Sequence, residues 1–213
     1  MKNLVLSLTV LLSLCACAFA QDITLPAPDK KGGKPLMQAL NERKSVREFT
    51  ADNLTQQQLS DLLWAACGVN RPDKRRTAPS AMNNQEIDVY VAMQSGLYLY
   101  DAGAHVLKLV KNKDVRRYTG TQSFVNNAAV NLVYVANMGR TGIREGAKIN
   151  DADLFMSYSD AAFIAQNVYL YCASANLGCI VRGAISKESL ATELGLKSNH
   201  VILLAQTVGG MRR

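Results

Sequence analysis

The sequence holds few residues that could bind a metal or cross-link a fold. Of its five cysteines, Cys15 and Cys17 fall in an N-terminal apolar run, which leaves Cys67, Cys172 and Cys179. An odd number without Cys-x-x-Cys spacing argues against a disulfide framework or a zinc site. Cys172 and Cys179 are left either as a pair or as ordinary buried thiols. There are two histidines, His105 and His200, and neither has a second ligand at metal spacing, so no metal site is expected. Gly-x-Ser-x-Gly is absent, which leaves a hydrolase without its nucleophile elbow. Five prolines and a charged fraction of 19% exclude a mostly disordered or collagen-like chain. Past residue 20 no apolar stretch is long enough to span a bilayer.

What is present points to a single domain. The 213 residues are 48% hydrophobic, enough to bury one substantial core. The net charge of +7 suits an anionic small molecule at least as well as nucleic acid, and no nucleic-acid partner is expected. Residues 1–20 combine Lys2, an apolar run from Leu4 to Cys17 and a small-x-small end at Ala18-Phe19-Ala20. That pattern predicts a signal peptide cut after Ala20 and export to the periplasm or cell envelope. Two alternatives are a lipoprotein signal, with lipidation at Cys17 as the one route to a membrane, and an uncleaved anchor.

Residues 21–34, rich in Pro, Gly and Lys, read as an extended leader before a domain spanning 35–213. A first helix starts at Pro35 and runs toward Arg43. Thr55-x-x-Gln58 is a capping box, followed by Leu59, Leu62, Leu63 and Ala66 at helical spacing and by Gly68 as a stop. Residues 69–84 read as a loop carrying the basic cluster Lys74-Arg75-Arg76. Alternation from Ile87 to Met93, a Ser95-Gly96 turn and Leu97–Tyr100 predict a hairpin. Further strands are expected at 129–136, 179–181 and 201–208, a long apolar helix at 153–176, and a helix from Ser186 to Leu194. The order is that of an α+β fold with a mixed, mostly antiparallel sheet flanked by helices.

The chemistry concentrates at Arg43-Lys44-Ser45-Val46-Arg47. In an extended backbone Arg43, Ser45 and Arg47 share one side, and two guanidinium forks around a hydroxyl suit a phosphate or another planar oxyanion. A solvated basic turn is the alternative.

These residues belong to a longer series. Arg43-x-Ser45-x-Arg47-x-Phe49, then Pro79-Ser80-Ala81-Met82-Asn83-Asn84-Gln85, then Ala165-Gln166-Asn167-x-Tyr169-Leu170 occur in that order. Asn176-Leu177-Gly178, Gly183, Leu194-Gly195-Leu196 and Gln206-x-Val208-Gly209 complete it. The series resembles the FMN-dependent nitroreductase family over almost the whole domain. Gly96-Leu97-Tyr98-Leu99-Tyr100-Asp101 with His105 and Leu107 is similar to the azoline dehydrogenase branch.

The resemblance implies an α+β homodimer with FMN between subunits. It places Arg43 and Ser45 at the flavin phosphate and ribityl end, Arg47 at N1 and O2, and Asn83 on the ring. Gly183 would offer its backbone N–H near N5 and O4, and Arg212 or Arg213 would complete the phosphate site. It further implies an oxidoreductase with ping-pong transfer through flavin N5 to a small organic acceptor, no side chain acting as nucleophile. A catalytically idle flavin- or anion-binding protein, a polyanion-binding envelope protein and an azoline-type dehydrogenase are the other readings. Three positions depart from the family pattern. Glu86-Ile87 replaces a frequent Pro-Trp, Arg182 stands where many nitroreductases have an acid, and Lys148 is followed by Ile149 rather than Tyr. Arg182, next to Gly183, is expected to face the flavin and raise its reduction potential.

Overall fold

The computed structural model describes residues 21–212; residues 1–20, on which the signal-peptide and Cys17 lipidation expectations fall, and Arg213 lie outside the described residues. The elements in chain order are β1 (Ile23–Thr24), α1 (Leu36–Glu42), α2 (Gln56–Cys67), β2 (Ile87–Met93), β3 (Gly96–Asp101), β4 (Val106–Lys111), β5 (Val130–Asn137), α3 (Asp151–Ser174), β6 (Gly178–Arg182), α4 (Lys187–Leu194) and β7 (His200–Gly209). The strands form a seven-stranded sheet in the order β1-β4-β3-β2-β5-β7-β6. Every pairing is antiparallel.

The helix signals act as their chemistry requires. Thr55 Oγ1 accepts from Gln58 N at 3.1 Å and Gln58 Oε1 accepts from Thr55 N at 2.9 Å, which fixes the start of α2. Leu59, Leu62, Leu63 and Ala66 are buried. Gly68 ends this helix for a steric reason, since its φ is −67° and a Cβ there would sit 2.4 Å from Trp64 Cδ1. Gly195, by contrast, takes a left-handed φ of +65° after α4.

Strand β5, between β2 and β7, is buried on both faces, which explains its largely apolar run. One face carries Leu132, Tyr134 and Ala136 against α2 and α3, with Leu62, Ala161, Ile164 and Val168 in the same cluster. The other carries Val133 and Val135 against Leu190 and Leu194 of α4. Helix α3 therefore spans the larger core face. Its outer side leaves Phe155, Met156 and Phe163 exposed, as Leu36 and Met37 are on α1.

Two strands differ from the sequence reading. Strand β4 pairs with β3 and was hidden by Lys108 and Lys111, three residues apart, which interrupt its apolar residues at a near-edge position. The leader is extended but not free: β1 pairs with β4, and Leu25 is buried. Lys34 then ties the leader to the end of α3 through Ala173 O (3.0 Å) and Asn176 Oδ1 (2.6 Å). The three described cysteines are free and buried, so Cys172 and Cys179 do not pair.

Candidate functional site

The segment after α1 leaves the helix and runs along the open edge of β6. Val46 N donates to Cys179 O at 2.9 Å, Arg212 N to Glu48 O at 3.2 Å and Thr50 N to Gly210 O at 2.9 Å. Phe49 is buried against Ala128 and Ile180, its ring 5.6 Å from that of Phe124. With Val46 and Phe49 turned inward, Ser45 and Arg47 remain exposed. The approach is close enough that a Cβ on Gly178 would meet Val46 Cγ1 at 2.9 Å, so the Leu177-Gly178 pair is required by packing as well as by the end of α3.

Tyr169, on α3, organises this edge. Its hydroxyl lies 2.9 Å from Ser45 Oγ and accepts from Val181 N at 3.0 Å. The Arg43 guanidinium sits 5.3 Å from the centre of the same ring, within cation–π reach. No carboxylate forms an ion pair with Arg43, Arg47 or Arg212 among the described residues. A groove of 350 Å³ lined by Lys44, Val46, Tyr169, Cys179 and Met211 adjoins them. Gly183, just past β6, is exposed, and nothing lies within 4 Å of where its Cβ would be. Uncompensated cations, a hydroxyl and an open backbone therefore gather along one edge, a donor set that fits a phosphorylated, oxygen-rich cofactor such as FMN. A larger cavity of 730 Å³, bordered by the leader, α1, α2 and α3, contains none of these cations.

Asn83 is placed elsewhere. It lies in a turn where Met82, Asn83 and Gln85 all take left-handed φ values, 54°, 55° and 49°. Such backbone is costly for residues with a side chain and is held here by fixed partners. Ala81 N donates to Asp160 Oδ2 at 2.8 Å, Gln85 N to Ser80 Oγ at 3.0 Å, and Arg140 Nη1 to Gln85 O at 2.8 Å. Asp160 is buried beside Glu86, and burial, aided by that neighbouring carboxyl, pushes its pKa up to about 6 against the opposing Ala81 N–H. Asp160 and Tyr169 are roughly 14 Å apart along α3, so one chain does not bring Asn83 to Arg43.

Arg182 corrects the sequence expectation. Its side chain points to the sheet face opposite Cys179 and Val181 and is buried. It donates to Thr119 O (2.6 Å), Asn131 Oδ1 (3.1 Å) and Thr207 Oγ1 (2.9 Å). Burial lowers its pKa to about 10. It is a structural clamp, and its guanidinium has no free donor face for a flavin. His105 is likewise structural, held between Ser60 Oγ (2.7 Å) and Tyr100 OH (2.8 Å).

A sequence profile of the Nitroreductase family matches residues 40–210. The chain belongs to the nitroreductase family. Its relatives include proteins named as putative nitroreductases, two of which are similar over most of their length. One, MJ1384 of Methanocaldococcus jannaschii, is 28% identical over 179 residues, which is 79% of this chain and 88% of the relative. The other, a crystal structure from Ralstonia eutropha, is 45% identical, covers 91% of each chain and superposes with a TM-score of 0.83. The NADPH:FMN oxidoreductase of Vibrio harveyi, solved with NAD+, shares the fold at 20% identity and a TM-score of 0.63, over 84% of this chain and 69% of its own. The nitroreductase fold of this chain is thus the antiparallel sheet with α3 across it. Sequence reasoning missed Tyr169 as the organiser, because its phenol is one of several buried polar groups on α3, with Ser157 and Asp160, and nothing local says which of them reaches another element.

Proposed function

We propose that this nitroreductase-family chain is an exported FMN-dependent oxidoreductase acting as a homodimer. The observation that carries the reading is the Tyr169-centred edge, where one phenol holds Arg43 and Ser45 against β6 at Val181, two residues before an open Gly183. Arg43, Ser45 and Arg212 would hold the phosphate and ribityl end, Arg47 the pyrimidine edge, and the Gly183 backbone the far side of the ring. The bound flavin supplies two-electron chemistry in ping-pong fashion, accepting from a donor and passing to a small organic acceptor. The chain's own part is placement and charge. Arg47 beside the ring favours its reduced, anionic form.

The dimer reading rests on the apolar side chains left outside: Phe155, Met156 and Phe163 on α3, Leu36 and Met37 on α1, and Met82, which is 91% exposed. Met82 adjoins Asn83, so a second copy covering it would supply the Asn83 that one chain sets apart from Arg43. Light scattering should give a dimer, and a monomer holding FMN would contradict it. Purification tests the cofactor: a yellow protein bleached by a reductant and recoloured by an acceptor supports the enzyme, and a pigment inert to every donor does not. Mature protein beginning at Gln21 in the envelope fraction would support export.

A further inference from the structure

Gly68 and the first part of the segment 69–84, read as a helix stop and a loop in the sequence, form a small hairpin over residues 68–77. Thr77 N donates to Gly68 O (2.9 Å), Asn70 N to Arg75 O (3.2 Å), and Val69 bridges Arg76. The hairpin sets Arg71, Arg75 and Arg76 around a cavity of 220 Å³ whose other walls include Ser80, Asn83 and Gln85. Among the described residues, one carboxylate approaches these three guanidinium groups: Asp73, 3.5 Å from Arg75, with both side chains more than half exposed. Arg116 and Arg140, by comparison, each pair with an aspartate at 2.7 Å. Arg71 uses Nε on Asn70 Oδ1 and Nη2 weakly on Arg76 O. Arg76 keeps a buried Nε with no hydrogen-bond partner. Behind it, burial pushes the Cys67 thiol up to about 11, so that neighbour is neutral. Asp160 borders the space behind Arg76, but its Oδ2 is engaged by Ala81 N–H.

The pocket is therefore rich in donors and poor in acceptors, and three planar forks favour a planar oxyanion. Its volume is below that of a whole-cofactor site and suits the charged end of a small molecule. Asn83 Oδ1 accepts from Gln85 Nε2, which leaves the Asn83 amide donors for a ligand.

We propose that this pocket is a carboxylate-binding subsite that selects small organic acids as substrates. The proposal deepens the flavin reading, on which its position at the substrate end, beside Asn83, rests.

The test uses the purified full chain and two probes of matched shape, 4-nitrobenzoate and its neutral amide, with affinity read by calorimetry and flavin content by absorbance. The wild type should prefer the acid at least about 10-fold, the low end for a charge-assisted hydrogen bond. The Arg71→Gln/Arg75→Gln double variant, altered at the exposed hairpin, should lose that preference while retaining its flavin. Arg75→Glu should reverse the sign of the preference. Equal binding of acid and amide to the wild type, or an unchanged preference in the variants, would overturn the subsite. Loss of flavin from the variants would also overturn it, by assigning the arginines to a cofactor phosphate. Competition by inorganic phosphate at equal concentration would make the site a phosphate site instead. Because binding is read by calorimetry, a colourless protein with an arginine-dependent preference would sink the flavin reading and leave the subsite standing.

Discussion

Ser45 and Tyr169, 124 residues apart, meet through their hydroxyls at 2.9 Å, and the same phenol accepts the N–H of Val181. One side chain of α3 therefore joins the segment after α1 to strand β6. Tyr169→Phe should leave both partners short of a hydrogen bond, at a net cost of about 0.5–1.5 kcal/mol each. FMN affinity should fall about 2- to 10-fold with the fold intact, as read by flavin fluorescence titration. An unchanged affinity would show that the Ser45 contact does not preset the site.

Arg43→Ala removes a proposed charge-assisted contact to phosphate worth about 1.5–3 kcal/mol. FMN should then bind about 10- to 150-fold more weakly. The same titration checks it, and an unchanged dissociation constant in a folded variant would remove Arg43 from the site.

Arg182 affects stability rather than flavin potential. Arg182→Gln leaves Thr119 O without its buried donor, at about 1–3 kcal/mol, and takes one of two donors from Asn131 Oδ1, which keeps Thr207 Oγ1; it should lower Tm by several degrees. Gly120 supplies an independent check, because a Cβ there would fall 1.8 Å from Arg182 Nη1. Gly120→Ala should reproduce the loss. Normal melting in both variants with a shifted potential would restore Arg182 to the flavin.

Asp160 gives the stability a pH dependence. Its folded pKa of about 6 lies above the ordinary 3.8, so its contribution is complete below pH ~4 and is lost as pH rises through about 6. Asp160→Asn mimics the protonated form and can still accept from Ala81 N. It should melt about 6–12 °C above wild type at pH 7.5 and near it at pH 4. An offset that does not vary with pH would contradict the assignment.

Much of this was readable from the residues alone. The capping box at Thr55, the hairpin of β2 and β3, and the Arg43-x-Ser45-x-Arg47 spacing are local signals, and local geometry decides them. What escaped were long-range relations. The destination of the Arg182 side chain depends on which sheet face Thr119, Asn131 and Thr207 reach, and period-two alternation gives a face without saying what covers it. Strand β4 was masked because its lysines break the apolar pattern. The left-handed turn at Met82 and Asn83 has no glycine to announce it, and its support comes from Asp160, on a helix far along the chain.

The most direct test of the central claim is a redox titration of the purified protein with its native pigment. The account predicts one FMN per chain, bleached by a reductant and recoloured when an organic acceptor is added, with both changes weakened in Arg43→Ala at limiting FMN. A folded wild-type protein that neither carries FMN nor takes it up when supplied would contradict the account.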